Sequence, residues 1–338
     1  MTRQRTVDLH AHYLVGEVEA LVKDDPRRKR EHALQAAQMG PASMQHNLSL
    51  LPQYAVALTD LDTRLYRMDA MGIDLQAVSL SPTQYHYWAD EELAGEIVRT
   101  ANEGVAGMCA ARPDRFIGLG SVALQHPDLA AEQLTVAVRS LGLRGAILST
   151  AVNGVDFSDP RLDRFWARAE ELEALLFIHP LGCSLGERLN RFYLSNVIGQ
   201  PAETAVALSH LIFGGVLDRF PRLKICAAHG GGYLPYYVGR SDHAYEVRPE
   251  SRTTKRRPSE YLRQLWFDSL VYRPDTLRHL IDIVGASQVV LGTDYPFDMG
   301  VENPLAHLAA VPGLSAQEVD AIHGTNAAGL LRLEQKKA

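Results

Sequence analysis

The chain has 338 residues, 46% of them hydrophobic and 22% charged, so it can bury a sizeable core. Its formal net charge of -6 gives no electrostatic footprint for nucleic acid. There is no apolar signal-peptide core, and no apolar run approaches the roughly 18 residues that a membrane span needs. Cys109, Cys183 and Cys226 are widely separated and form no CxxC pair, which favours a reducing compartment. The sequence therefore predicts a cytoplasmic globular protein without nucleic-acid or membrane partners.

Eight short apolar segments recur along the chain, with helical patterns between them. They lack strict alternation, as expected when both faces of a strand are buried in a parallel sheet. The predicted strands are 6–14, 74–82, 116–124, 143–149, 174–180, 223–230, 265–271 and 289–296. The clearest helices are predicted at 90–111, 126–141 and 159–172, each led by an aspartate or a His-Pro-Asp sequence in capping position.

This alternation of strands and helices, in a chain of this length, predicts an α/β fold of the (β/α)8 TIM-barrel type. A doubly wound open sheet is the alternative, but no GxGxxG sequence follows the first predicted strand. Residues 15–60 interrupt the alternation and are predicted to form an inserted lid of helices over one end of the barrel. Residues 181–210 are a second candidate for a pocket wall. With no repeat or low-complexity linker, residues 1–338 are predicted to form a single domain.

Four histidines and one aspartate fall at the C-terminal ends of predicted strands, the end at which TIM barrels carry their active sites. His10 and His12 end the first strand, His179 the fifth and His229 the sixth, and Asp294 follows the eighth. Residues i and i+2 of a strand point to the same side, so both imidazoles of the HAH sequence can face the barrel mouth.

These side chains have the composition of a metal site. Nitrogen atoms of His10, His12 and His179 with an oxygen of Asp294 would leave one position for water or substrate. Imidazole and carboxylate ligands suit Zn²⁺, with Mn²⁺ and Fe²⁺ as alternatives. The structural alternatives are a packed histidine before Pro180 and a turn aspartate before Tyr295. The five residues taken together favour the metal site.

Four segments identify the chain as similar to a known family. The sequences VDLHAHYL (7–14), FIHP (177–180), FPRLKICAAHGGGYLPYYVGR (220–240) and VVLGTDYPFDMG (289–300) resemble the amidohydrolase-related family. Its branch includes 2-amino-3-carboxymuconate-6-semialdehyde, γ-resorcylate and 5-carboxyvanillate decarboxylases.

The resemblance implies one divalent metal ion held by His10, His12, His179 and Asp294, with His229 as the catalytic acid/base. Asp294 could also share a proton with the reacting carbon. The implied activity is a metal-dependent decarboxylase (carboxy-lyase) acting on a small unsaturated or aromatic carboxylic acid. A hydrolase of a lactone, amide or C–C bond, or a hydratase, is the alternative on the same scaffold.

The resemblance also implies substrate contacts and a dimer. Arg240 occupies the place of a carboxylate-binding arginine that reaches the neighbouring subunit's pocket, which would make a homodimer functional. The place of a second such arginine lies in LLPQYAVAL (50–58), which has none. Because a guanidinium is hard to replace at a carboxylate site, the sequence favours a different carboxylated or aromatic acid from aminocarboxymuconate semialdehyde. Phe297, Tyr193 and Trp88 are the candidates for an apolar wall against a planar substrate.

Overall fold

The computed structural model describes residues 5–333, and its central feature is a set of parallel β-strands. Each strand lies inside one of the eight predicted segments, which confirms those predictions. The eight strands within residues 5–333 are β1 Val7–Tyr13, β2 Leu75–Leu80, β3 Phe116–Gly118, β4 Gly145–Leu148, β5 Leu175–Ile178, β6 Lys224–Ala227, β7 Leu265–Asp268 and β8 Val289–Val290.

The strands follow one another around a closed barrel in sequence order. Regular parallel pairing joins β1-β2-β3 and β4-β5-β6-β7-β8. A parallel bridge between Gly120 and Ala146 connects the first group to the second. The barrel closes where Ala11 pairs with Tyr295, next to a 2.9 Å hydrogen bond from Leu9 N to the Leu291 carbonyl. The (β/α)8 barrel is therefore confirmed.

Helices occupy the connections between the strands. The α-helices within the described residues are α1 Gly16–Val22, α2 Pro26–Met39, α3 Pro41–Thr59, α4 Leu61–Met71, α5 Glu91–Ala111, α6 Pro127–Arg139, α7 Asp163–Glu171, α8 Gln200–Phe213, α9 Val216–Arg219, α10 Leu234–Val247, α11 Pro258–Tyr261, α12 Pro274–Val284, α13 Pro304–Ala309, α14 Ala316–Asp320 and α15 Asn326–Leu330. Short 3-10 helices lie at Pro82–Gln84, Pro160–Leu162, Glu187–Leu189, His229–Gly231, Pro249–Ser251, Leu262–Gln264 and Ala286–Gln288, and π-helical turns at Ser195–Gly199 and Ala321–Thr325. None of the helices in residues 5–333 is long and apolar enough to cross a membrane.

The three helices predicted most clearly begin where the sequence indicates. Asp90 caps α5 by accepting a hydrogen bond from Leu93 N at 3.1 Å, and such a bond satisfies one of the free amides of a helix start. Asp159 does the same for the 3-10 turn that precedes α7. His126 makes no side-chain cap, and α6 begins at Pro127, a residue suited to the first helical position.

The inserted segment between β1 and β2 is helical, and its contacts place it at the C-terminal end of the barrel. Gln38 of α2 donates a 2.7 Å hydrogen bond to the Cys183 carbonyl, in the segment after β5. Ser195 Oγ donates to the Gln38 carbonyl at 2.8 Å. On α3, His46 Nε2 lies 3.1 Å from Asp298 Oδ2, in the loop after β8. These helices therefore lie against the same barrel end at which the predicted site residues stand, and their role as a lid remains a prediction.

Candidate metal centre

The four predicted metal ligands meet at the C-terminal end of the barrel. His10 and His12 both point inward from β1 and are fully buried. His179 comes directly after β5, and Asp294 lies four residues beyond β8. One donor atom from each of the four lies within 4.8 Å of every other. At Gly292, an added Cβ would come within 2.9 Å of the His10 Cβ, so a glycine is needed for the segment after β8 to pass this closely.

Hydrogen bonding outside the cluster determines which imidazole nitrogens face inward. His10 Nδ1 is 2.7 Å from Asp268 Oδ2, so Nδ1 carries the proton and donates to this carboxylate. His12 Nδ1 lies 3.4 Å from the Leu80 carbonyl, which can only accept. In the neutral form of each ring, Nε2 therefore carries a lone pair directed into the site.

The inward-facing atoms repel one another unless a cation lies among them. His10 Nε2 and His12 Nε2 are 3.2 Å apart, and Asp294 Oδ1 is 3.2 Å from the first and 3.1 Å from the second. Within residues 5–333, Asp294 Oδ1 has no hydrogen bond of acceptable geometry, and neither ring nitrogen of His179 has a hydrogen-bond partner. Buried polar atoms are rarely left without partners. Three imidazoles and a carboxylate in this arrangement fit a single divalent metal ion.

The electrostatics of the cluster agree with a cation site. Burial lowers the pKa of His10, but the carboxylates of Asp294 and Asp268 outweigh it and raise the pKa to about 10. Burial lowers the pKa of His12 and, together with the neighbouring imidazoles, holds that of His179 well below its usual value. Burial opposes ionisation of Asp294, yet the nearby histidines hold its pKa well below the usual range. A divalent ion that replaces the Nε2 proton of His10 would balance the charges of both carboxylates.

His229 lies beside the cluster without belonging to it. It begins the 3-10 turn after β6 and has a φ of 55°, in the left-handed region. Its Nε2 is 3.6 Å from Asp294 Oδ2, and its Nδ1 is buried with no hydrogen-bond partner. The imidazole therefore faces the same carboxylate as the metal ligands and retains one nitrogen for a further contact.

Asp268, the last residue of β7, is a site residue that the sequence analysis missed. Its Oδ2 accepts from His10 Nδ1, and its Oδ1 accepts from Gly230 N at 2.9 Å and from Leu270 N at 3.1 Å. One buried carboxylate thus orients a metal ligand and also fixes the backbone just after His229. The sequence carried little signal for it, because Asp268 falls in the middle of the predicted strand 265–271 and only the observed strand ends there.

Of the predicted wall residues, Phe297 packs against a metal ligand, and Tyr193 lies near enough to the carboxylates of the site to interact with them electrostatically. The Phe297 ring is 5.5 Å from His12 and 5.6 Å from Tyr54 of α3. Tyr54, which the sequence analysis did not single out, occupies the 50–58 segment where the second arginine is absent. Burial raises the pKa of Tyr193, and the carboxylates of Asp298 and Asp294 are near enough to raise it further.

The other two predicted substrate residues lie elsewhere in the protomer. Trp88 lines a separate cavity of about 360 Å³ with Glu31 and Tyr87, and Arg27 covers its ring at 4.9 Å. Arg240 is exposed on α10 and lines a surface depression that includes none of the four metal ligands. The structure of one protomer thus places Phe297 against a metal ligand, whereas Trp88 and Arg240 line other cavities.

A closed parallel barrel with a three-histidine, one-aspartate centre at its C-terminal end defines a class of metal-dependent barrel proteins. The family model described as amidohydrolase matches residues 7–333. The chain therefore belongs to the amidohydrolase family.

Individual relatives and solved structures show which kinds of protein the chain is similar to. The chain is 35% identical to the 2-amino-3-carboxymuconate-6-semialdehyde decarboxylase of Dictyostelium discoideum over 280 residues, which cover 82% of this chain and 78% of that protein. The 5-carboxyvanillate decarboxylase of Sphingomonas paucimobilis superposes with a TM-score of 0.84 at 26% identity, covering 98% of this chain and all of that one. The dihydroxybenzoic acid decarboxylase of Polaromonas sp. JS666, with bound manganese and the inhibitor 2-nitroresorcinol, gives 0.83 at 25% identity and covers 98% of each chain. Manganese in that structure leaves the prediction of Zn²⁺ here unconfirmed.

Proposed function

We propose that this chain is a metal-dependent decarboxylase, a carboxy-lyase, acting on a small unsaturated or aromatic carboxylic acid. The proposal depends on one observation. Donor atoms of His10, His12, His179 and Asp294 all lie within 4.8 Å of one another, and His229 lies beside Asp294. The named activities of the similar proteins, all decarboxylases of small acids, support the reaction type.

The metal ion would be held by His10, His12, His179 and Asp294, and when bound it acts as a Lewis acid on a substrate oxygen. The ligand set suits Zn²⁺, while the similar Polaromonas structure favours Mn²⁺. We therefore propose both ions for the assay, since three imidazoles and one carboxylate accept either.

His229 and Asp294 are the proposed proton-transfer pair. Decarboxylation breaks the bond between the carboxyl group and its carbon, leaves the electron pair on that carbon, and requires a proton there in place of CO2. The 3.6 Å separation of His229 Nε2 and Asp294 Oδ2 allows a proton to pass between them and the reacting carbon. Histidine suits this role because its unperturbed pKa lies near neutrality.

The wall of the site favours a planar substrate. The Phe297 ring packs near both His12 and Tyr54, and rings in such a position stack against a flat molecule. We therefore propose that this side of the pocket contacts the ring or the conjugated carbons of the substrate and not its carboxylate.

The carboxylate contact is assigned to Arg240 of a second subunit. Arg240 is exposed, and the depression beside it is lined by Tyr233 and Tyr237, with Tyr237 68% exposed. A basic side chain surrounded by exposed aromatic surface is typical of a protein interface. We propose a homodimer in which this guanidinium reaches the partner's metal centre.

Turnover by metal-replete protein tests the proposal. Carboxylated dienes, hydroxybenzoates and lactones are incubated with the protein, and headspace CO2 is measured together with product mass. We expect CO2 release that matches substrate loss for at least one acid. Substrate loss without CO2, with one water added to the product mass, would make the chain a hydrolase or hydratase and overturn the proposal.

A further inference from the structure

A continuous chain of buried polar side chains lies behind the metal ligands. Arg64 of α4 is only 1% exposed, and its Nη1 donates to Gln76 Oε1 at 2.8 Å. The amide of Gln76, on β2, donates in turn to Asp8 Oδ2 at 2.9 Å. A carboxamide can accept from a cation and donate to an anion at once, so Gln76 connects two opposite buried charges. Such links offset part of the cost of removing each charge from water.

The ends of this chain bind the backbone that carries the metal ligands. Asp8 Oδ1 accepts from His10 N and from Thr293 N, both at 3.1 Å, and Asp8 Oδ2 accepts from Thr293 Oγ1 at 2.7 Å. At the other end, Arg64 Nη2 donates to the His12 carbonyl. His10 and His12 are themselves ligands, and Thr293 immediately precedes Asp294.

The conformation at Asp294 depends on such support. Its φ is 58°, in the left-handed region that disfavours residues other than glycine, so surrounding contacts must hold the backbone there. Asp294 N donates to the His10 carbonyl at 2.8 Å. The Arg64 guanidinium also lies 4.8 Å from the centre of the Tyr295 ring, one residue beyond Asp294. Arg64 thus contacts both sides of the junction where the barrel closes between β8 and β1.

We propose that Arg64, acting through Gln76 and Asp8, is a positioning residue that sets the affinity of the four-ligand centre for its metal ion. Removing its guanidinium leaves the Gln76 carbonyl and the His12 carbonyl without a donor and the Asp8 charge without its cation. The backbone of β1 then loses its direct support at His12, and the carboxylate that holds His10 N and Thr293 loses its link to a cation. This inference depends on the metal site and not on the reaction.

Binding of Mn²⁺ to the purified metal-free protein tests the proposal directly. The free ion is measured by its electron paramagnetic resonance signal during titration, without any substrate. For Arg64→Met we expect a dissociation constant about 10- to 100-fold higher than for the wild type, the loss found when groups that orient ligands are removed.

Arg115→Met is the matched control. Arg115 also donates to backbone carbonyls, those of Ile73 and Asp74, but at the opposite end of β2 from the metal centre. It should lower the thermal unfolding temperature and leave Mn²⁺ affinity unchanged. An equal loss of affinity in both variants would show a general effect of destabilisation and overturn the proposal.

Arg64→Lys covers the case in which Arg64→Met does not fold. A lysine keeps the charge that balances Asp8, but its single ammonium cannot donate to Gln76 and His12 in the planar fork of a guanidinium. We expect a folded protein with weakened Mn²⁺ binding. Wild-type affinity in Arg64→Lys or in folded Arg64→Met would contradict the proposal.

Discussion

His10 can offer its Nε2 to a metal ion because Asp268 occupies its Nδ1. The 2.7 Å contact selects the tautomer, turns the ring, and increases the basicity of the free nitrogen. His179 lacks such a partner on either nitrogen, and its position depends on its backbone, where Tyr85 OH donates to its carbonyl at 3.1 Å. At the scale of single residues, the centre is thus held partly through side chains and partly through the main chain.

Substitutions separate the metal ligands from the proton-transfer group. His10→Ala and Asp294→Ala should leave the dialysed protein without metal, because each removes a donor atom from a four-donor site. His229→Ala should retain the metal and lose about 10²- to 10⁴-fold in turnover, the contribution of a general acid or base. Metal content by elemental analysis and CO2 release are measured on the same samples.

His307→Ala is the control for these substitutions. His307 lies on α13, and its Nε2 is buried without a partner, yet it is not part of the metal cluster. This variant should keep both metal and activity. Full metal occupancy in the Asp294→Ala protein would contradict the ligand assignment.

The ligands were predictable from sequence because each stands at or just after the end of an apolar strand. Asp268 also ends a strand, in LWFD, but its meaning depends on contact with a residue 258 positions away. Trp88 was predicted to form the wall, but the chain turns at Pro82–Gln84 and again at His86, where φ is 45°. Sequence patterns give the place of a residue along a strand, and they do not give the direction of the loop that follows.

At the scale of secondary-structure elements, each of the eight predicted segments contains a barrel strand and is longer than that strand. The segment predicted as 116–124 contains β3 at Phe116–Gly118 only. Val122, Ala123 and Leu124 are buried, yet they belong to no strand. An apolar run reports burial, whereas a strand also requires backbone pairing, and hydrophobicity alone does not distinguish the two.

The helical insertion between β1 and β2 contacts the candidate site through α3. Residues 15–60 were predicted as a lid, and α3 reaches the Phe297 ring through Tyr54. Tyr54 OH also accepts a 3.1 Å hydrogen bond from Asp298 N. These contacts join α3 to the loop that carries Asp294. Ligand binding at the site should therefore change the amide exchange of this helix.

Hydrogen exchange tests whether α3 closes over the site. With saturating 2-nitroresorcinol and metal, amides of Pro41–Thr59 should exchange more slowly than in the metal-bound protein alone, because a closing element opens less often when ligand is bound. Helix α12, Pro274–Val284, is the internal control and should not change. Slowing confined to other segments, in protein whose unfolding temperature the compound has raised, would contradict the lid prediction.

At the scale of the whole molecule, the barrel of one protomer leaves the predicted carboxylate contact outside its own metal centre. Arg240 lies on the outer helix α10 beside exposed tyrosines, whereas His229 lies at the barrel mouth. Sequence analysis could propose the trans arrangement only through the family resemblance, because spacing within one chain carries no information about a second chain.

Mixed dimers test the proposed trans arrangement. Arg240→Ala and His229→Ala proteins are each expected to be nearly inactive. If Arg240 acts on the partner's site, a mixed dimer has one site with both groups intact, so reassorted subunits should recover about a quarter of wild-type activity. Recovery is measured as CO2 release before and after mixing. No recovery, with hybrid dimers demonstrated by differential tagging, would contradict the trans arrangement, because Arg240 would then act within its own subunit.

The central claim is that loss of CO2 depends on one divalent ion held by His10, His12, His179 and Asp294. The most direct measurement titrates Mn²⁺ into metal-free protein and records CO2 release from an acid that the metal-replete protein turns over. The account predicts no release without metal and a rise that stops at one equivalent per chain, since the described residues provide one such four-donor cluster. Full CO2 release from rigorously metal-free protein would contradict the account.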